Sequence, residues 1–512
     1  MTERRISHGV ADLPDHVDVL VIGLGVTGSG VALDSVTRGL STLAVDAHDL
    51  AFGTSRWSSN LVHGGIRYLA HGQVGVAHES AVERGILMEV TAPHLTHAMP
   101  MLVPLMSSVS AFGAGITRAA FLAGDVLRRT AHTSAQTLPR PRKISAAETL
   151  NLAPSLRASG LRGGLLSWDG QLEDDARLVT TIARTAAAEG AHIRTRARVL
   201  SATGTNVELR DELTGETRTV TAKAVINATG VWAGELVDEL TLRPSRGTHL
   251  VLRAETLPNL RATVTAPIPG STSRFVMVIP QPDGTIYVGL TDEPVEGDIP
   301  DVPTPSEAEI GFLLDVVSAA FTRPLRRRDV AGAFAGLRPL IDAGDGSTAD
   351  ISRKHAVLTS STGVITIVGG KLTTYRRMAQ DAVDAAVSAA GLSAGPCVTA
   401  TTPLLGAASR ASLARLEEPT RLVRRFGTDA RLVLDNARTV SGLGDDELLA
   451  PFSEQVPVTL AELIFGVTHE GAVDVDDLLD RRTRVGLIPV DRELLVPLAT
   501  RALDLAKAAP TS

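Results

Sequence analysis

From Val17 to Ile22 the chain runs as an apolar, strand-like segment straight into Gly23-Leu24-Gly25-Val26-Thr27-Gly28, and a second strand-like run, Leu40 to Val45, ends at Asp46. Strand, spaced glycines, helix, strand and acid in that order restrict this part of the chain to a βαβ unit that binds a dinucleotide. Gly23 permits the tight turn out of the strand, Gly25 lets a pyrophosphate approach the backbone, and Gly28 lets the following helix pack closely. The phosphates then meet the amides and the positive dipole end of that helix. Asp46 can accept hydrogen bonds from two ribose hydroxyls, and its charge disfavours a 2′-phosphate.

A chain of 512 residues buries about three quarters of its unfolded surface and divides into two or three domains. Aromatic residues are only 3% against 44% hydrophobic, so the core must be aliphatic and stacking surfaces for nucleic acid are scarce. The net charge of −7 also argues against a polyanionic partner, and no nucleic acid is expected. Cys397 is the single cysteine, which excludes an intrachain disulfide and a cysteine-based metal site and points to a reducing compartment. No metal is expected. The N-terminus MTERRISHGVADLPDH has no apolar run of the signal-peptide kind, so the expected location is the cytoplasm.

Apolar runs alternating with helical patterns occupy residues 17–95 and return at 165–240 and 331–390, which predicts one discontinuous α/β domain of Rossmann type. Val364 to Val368 reads as a buried strand, and Gly369-Gly370 as the turn into a long helix. The insertions, 96–164 and 241–330, are richer in proline and alternating patterns and suit an antiparallel substrate domain. Residues 391–512 open with an Ala/Gly/Thr/Pro-rich linker and read as a C-terminal helical domain. Residues 98–117 lack any acid, lysine or arginine, but Pro100 and Pro104 interrupt them, and Met101 to Met106 reads as a strand rather than part of a membrane span. Ala111 to Thr130 reads as a helix. From there to Lys143 the cations Arg118, Arg128, Arg129, Arg140, Arg142 and Lys143 face one acid, Asp125, an asymmetry that suits an anionic membrane surface.

The segment Thr54-Ser55-Arg56-Trp57-Ser58-Ser59-Asn60-Leu61-Val62-His63-Gly64-Gly65-Ile66-Arg67-Tyr68-Leu69 resembles the signature of FAD-dependent glycerol-3-phosphate dehydrogenases. The family's later motifs recur in order: Trp168-Asp169-Gly170-Gln171, Asn227-Ala228-Thr229-Gly230, Ser245-Arg246-Gly247-Thr248-His249, Gly289-Leu290-Thr291-Asp292, Gly336-Leu337-Arg338, Ile351-Ser352-Arg353 and Gly369-Gly370-Lys371-Leu372-Thr373-Thr374. The resemblance spans roughly residues 17 to 490. It departs at Asn60, where the family usually has lysine, and the C-terminal part is shorter than in longer members.

The resemblance implies non-covalent FAD, held by Gly23, Gly25, Gly28 and Asp46, by Thr54, Ser55, Ser59, Leu61, His63 and Gly64, by Thr229 and Gly230, and by Gly370, Lys371, Leu372 and Thr373. It implies sn-glycerol 3-phosphate as substrate, with Arg67, Tyr68, Arg338, Arg353 and Lys371 on the substrate side. Guanidinium forks suit phosphate oxygens, and a lysine adds a compact charge. His249, at the head of the apolar run Leu250 to Leu252, is the expected general base, with Arg338 as its catalytic companion; His63 is read as a flavin contact and His355 as a weaker third choice. Electrons are expected to reach a quinone or another acceptor through peripheral contact with the inner face of the cell membrane, and a second copy of the chain is the expected partner. The rival readings are an oxidase that uses oxygen, a flavin enzyme for an amino or hydroxy acid, and a non-catalytic flavoprotein.

Overall fold

The computed structural model describes residues 6–65, 68–69, 72–107, 111–237, 239–269, 274–341 and 355–509. Two mixed sheets and a helical C-terminal region make up an α/β architecture. In the first sheet His16–Ile22 lies between Thr42–Val45 and Thr217–Asn227, parallel to both. Thr42–Val45 continues in parallel to His192–Thr195, and Thr217–Asn227 to Ile365–Val368. Strands covered on both faces need apolar residues almost without alternation, and Thr42–Val45 and Ile365–Val368 are buried throughout. The helices Val26–Thr37, Asp175–Ala188 and Tyr375–Ala390 cover one face through Val31, Ile182, Ala379 and Val383. The parallel strands therefore end together at Ile22, Val45, Asn227 and Val368, where an open α/β sheet binds its ligand.

The second sheet stands beside this edge. Ser245–Arg253 pairs antiparallel with Thr285–Gly289 and with Val330–Arg338, while Thr96–Met106 pairs antiparallel with Leu161–Leu172 and in parallel with Thr263–Pro267. The helix Glu307–Ser318 packs Leu313 and Val317 against it, its start held by a reciprocal Ser306 and Glu309 cap. The boundaries expected at 165 and 331 fall within or at the edge of strands of this sheet, Leu161–Leu172 and Val330–Arg338, and the short strand Leu61–Val62 also belongs to it. Apolar periodicity marks these runs as strands but carries no information on which sheet they join.

The C-terminal helices Thr420–Phe426, Ala430–Ser441, Leu460–Thr468 and Pro489–Ala508 enclose their own core of Leu463, Phe465, Leu495 and Ala499. Buried charges seat them on the first domain: Asp49 accepts from Arg481 at 2.7 Å and from Arg482 at 2.7 and 2.8 Å, and Arg177 pairs with Glu470. Such pairs add little net stability over an apolar filling but make any one partner costly to remove, so they define one docking geometry.

Ala111–Thr130 is a single helix. Its Leu127 packs on Ala77 and Ala81 of the helix Val74–Ile86. Phe112, Ile116, Leu122 and Val126 stand exposed instead. Arg118 and Arg129 are exposed as well, but Arg128, expected among the surface cations, is buried between Asp125 and the Thr133 carbonyl. An aspartate three residues earlier draws it inward. Among the described residues no helix is long and apolar enough to cross a membrane.

Candidate active site

A cavity of about 540 Å³ runs along the carboxyl ends of the parallel strands and on between the two sheets. At one end the turn after Ile22 is shaped as the glycine spacing requires. Gly23 has φ +98°, and a side chain on Gly28 would strike the Gly23 carbonyl at 1.8 Å. Gly25 caps the helix Val26–Thr37 without any side-chain acceptor, while Ser55 Oγ takes the Val26 amide at 2.9 Å. Asp46 accepts from the Leu24 and His48 amides, each at 2.8 Å, one on each carboxylate oxygen. Each oxygen keeps lone-pair capacity for a ribose hydroxyl.

Of the residues expected to hold the cofactor, Gly23, Gly25, Asp46, Thr54, Ser55, Ser59, Leu61, His63, Thr229, Gly230, Gly370, Lys371, Leu372 and Thr373 all border this one cavity. Gly28 and Gly64 act behind the wall; Gly64 leaves room for Arg84, whose Nη1 would lie 2.1 Å from an added Cβ. Residues that spacing did not single out as contacts, among them Phe52, Trp57, Arg198, Val199 and Trp232, also line it. Arg198 and Val199 come from a strand far along the chain, and only the sheet topology brings them here. A helix start whose cap residue, Gly25, carries no side chain, a carboxylate placed for a ribose, and a trough of this length and volume together fit a dinucleotide with a second ring system.

Asn60 does not reach the cavity. It sits at φ +58°, which asparagine tolerates, donates to Gln281 Oε1 at 3.1 Å and accepts the Asp175 amide at 3.0 Å. A lysine could not make that pair of bonds, so the departure from the family pattern has a local structural use.

At the other end the cations gather. Lys371 borders the cavity, and its Nζ donates to Ser80 Oγ at 2.8 Å and lies 3.8 Å from the Tyr68 ring centre. Arg338 is held by Ser245 Oγ at 3.1 Å and by Asp292 and the Thr291 carbonyl at 3.3 Å. Arg67 and Arg353 lie outside the described residues.

The two histidines expected here differ sharply. His249 is buried, stacked on Phe334 at 4.8 Å, with Nε2 2.8 Å from Ser59 Oγ. Burial, helped by the charge of Arg338, pulls its pKa down to about 3, so it is a neutral, weakly basic ring. His63 keeps 45% of its side chain exposed and places Nδ1 3.1 Å from Asp169 Oδ2. Burial alone would raise the pKa of Asp169, but Arg84 and His63 hold it below the usual carboxylate value. His355 is engaged with Asp381 at 2.8 Å.

Residues 18–376 match the family of FAD dependent oxidoreductases, and residues 397–507 match the C-terminal domain of alpha-glycerophosphate oxidase. Glycerol-3-phosphate dehydrogenase 1 of Mycobacterium tuberculosis is 53% identical over 495 residues, 95% of each chain. Glycerol-3-phosphate dehydrogenase 2 of the same organism is 34% identical, covering 92% of this chain and 82% of its own. The crystal structure of glycerol-3-phosphate dehydrogenase from Bacillus halodurans complexed with FAD superposes with a TM-score of 0.72 at 28% identity, covering 96% of this chain and 92% of the other. With the glycine turn, the carboxylate at the second strand and the continuous trough in place, the chain belongs to the FAD-dependent glycerol-3-phosphate dehydrogenase family and takes FAD as its cofactor.

Proposed function

We propose that this protein oxidises sn-glycerol 3-phosphate to dihydroxyacetone phosphate and delivers the electrons to a quinone in an anionic membrane. The observation that carries the reading is one cavity in which the cofactor-holding glycines meet two cations, Arg338 and Lys371, and an exposed imidazole, His63. A dianionic phosphate fits between a guanidinium and an ammonium, whereas an amino acid substrate offers only a singly charged carboxylate. When bound, FAD supplies a two-electron acceptor for the hydride from C2. Arg338 and Lys371 hold the phosphate and thereby orient C2, and Arg67, Tyr68 and Arg353 complete the substrate side. The C2 hydroxyl proton passes to His63 Nε2, which exchanges the roles expected for His63 and His249. A ring whose pKa burial pulls down to about 3 is poorly matched to an alcohol proton, whereas His63 borders the cavity with a carboxylate behind its Nδ1. His249 instead holds the Ser59 hydroxyl.

The exposed stripe Phe112, Ile116, Leu122 and Val126 supports the membrane part of the reading, since a lone helix with an apolar outer face and exposed arginines lies flat in a lipid interface. The helix Val74–Ile86 contacts both that helix and the cavity-wall turn Leu372–Thr374. One helix, Val74–Ile86, then lies between the lipid-facing helix and the cofactor wall. The match of residues 397–507 to an oxidase domain favours oxygen as the second reading.

Anaerobic mixing of the purified protein with glycerol 3-phosphate tests the first claim: bleaching of the flavin absorbance is expected, with glycine, proline and lactate inert. No bleaching ends it. Reoxidation by a quinone without peroxide supports the membrane acceptor, and stoichiometric peroxide replaces it with oxygen.

A further inference from the structure

Asp169 lies at the centre of a motif that the cofactor, substrate and domain assignments leave without a role. It sits on the strand Leu161–Leu172, 7% exposed, with its carboxylate held from three sides. Arg84 Nη1 donates to Oδ1 at 2.6 Å, and the Gly64 and Gly170 amides donate to the same oxygen at 3.1 Å. Three donors on one oxygen fix the plane of the group and leave Oδ2 turned to His63 Nδ1, 3.1 Å away. Arg84 is itself buried on the helix Val74–Ile86 and reaches Asp169 through the space that Gly64 leaves by having no side chain. The chain thus commits a buried arginine, a glycine and a strand residue to orienting one exposed imidazole.

We infer that Asp169 is a positioning residue for the proton transfer, locking His63 as the Nδ1-protonated tautomer with its Nε2 lone pair facing the substrate. The inference rests on His63 being the proton acceptor. An ionised carboxylate behind the ring has two effects: it forbids the wrong tautomer, and it stabilises the imidazolium formed when the hydroxyl proton arrives. Arg84 keeps that carboxylate ionised and immobile, since a bidentate-capable guanidinium bonded at one oxygen prevents the group from swinging away from the histidine. The charged and titratable groups lining the cavity include Lys371, Arg338 and the buried His249, and Asp169→Asn removes none of them. A purely structural Asp169 would tie the strand Leu61–Val62 to the helix Val74–Ile86, and its loss would lower thermal stability and FAD content without moving the titration of the reaction.

The test is anaerobic stopped-flow flavin reduction by glycerol 3-phosphate across pH, on holoenzyme of the parent, His63→Gln, Asp169→Asn and the double variant. Asp169→Asn should retain FAD, slow reduction by roughly 10²- to 10⁴-fold, the range of general acid–base contributions, and shift the acidic limb of the profile to lower pH. The sign follows from the charge: without the anion the imidazolium formed in the reaction loses its partner. The double variant should be no slower than His63→Gln alone, because the aspartate acts only through the histidine. If His63→Gln is slow while Asp169→Asn keeps the parent rate and profile, the positioning role is overturned and the proton acceptor stands. If His63→Gln reduces flavin at the parent rate, the acceptor itself is wrong and both fall. Should Asp169→Asn not fold, the ¹⁵N ring shifts of His63 in the parent, assigned by their loss in His63→Gln, decide the matter: protonation at Nδ1 supports the inference and protonation at Nε2 overturns it.

Discussion

Replacing Phe112 with serine should detach the protein from anionic vesicles while leaving its chemistry untouched. Phe112 is 78% exposed on the helix Ala111–Thr130, beside Ile116 at 56%, Leu122 at 53% and Val126 at 57%. A phenylalanine offers about 150–250 Å² of surface. Transfer of its exposed part into hydrocarbon is then worth roughly 3–5 kcal/mol at about 25 cal/mol per Å². An interfacial helix sinks only about 5–10 Å, so half that value is realised, and the partition coefficient should fall roughly 10- to 60-fold. Arg118 adds about 1 kcal/mol of salt-sensitive attraction, and Arg128 adds none because its charge is spent on Asp125. Co-sedimentation with anionic vesicles at low and high salt measures the partition, and turnover with a soluble dye confirms that the site is intact. If the Phe112→Ser variant sediments as well as the parent, this helix is the wrong face. A parent that binds no vesicle at any salt removes the membrane acceptor altogether.

Arg338→Ala should raise KM for glycerol 3-phosphate about ten- to hundredfold, as loss of a charge-assisted bond worth roughly 1.5–3 kcal/mol implies, with FAD content unchanged; unaltered steady-state kinetics would move the phosphate elsewhere. Arg353→Ala should behave alike, and a normal KM there would remove Arg353 from the substrate side. Acid precipitation should release all the flavin into the supernatant, because the glycine turn and the Asp46 carboxylate offer a cofactor only non-covalent contacts; yellow pellets would count against that. Asp49→Asn should destabilise the protein by about 3–5 kcal/mol in denaturant unfolding, since it leaves Arg481 and Arg482 with a neutral partner in a buried seat. An unchanged midpoint would show that the C-terminal helices dock by apolar contact alone.

What could be read from the chain was local. The glycine turn, Asp46, and the cations inside Gly336-Leu337-Arg338 and Gly370-Lys371 announce themselves within a few residues, because a tight turn or a strand end dictates what must stand there. What could not be read was the far side of each group. Arg118 and Arg128 look alike in a charge count, yet the three-residue spacing to Asp125 turns one inward, a signal that helical geometry could have supplied. No comparable signal marks the wall residues Arg198 and Val199, which come to the cavity because the preceding strand His192–Thr195 pairs with Thr42–Val45 and the Ala197 amide donates to the Asp46 carbonyl at 2.8 Å. The histidines carry the same lesson to the chemistry. His249 heads an apolar strand and reads as aimed into the site, but Phe334 and Tyr287 from two neighbouring strands close over it and remove its basicity. His63, beside Gly64-Gly65, reads as a flavin contact, and only the fold places Asp169 behind it from 106 residues away. Reactivity in an imidazole is set by what faces each ring nitrogen, so the proposal of His63 as proton acceptor rests on a carboxylate that only the fold brings to it.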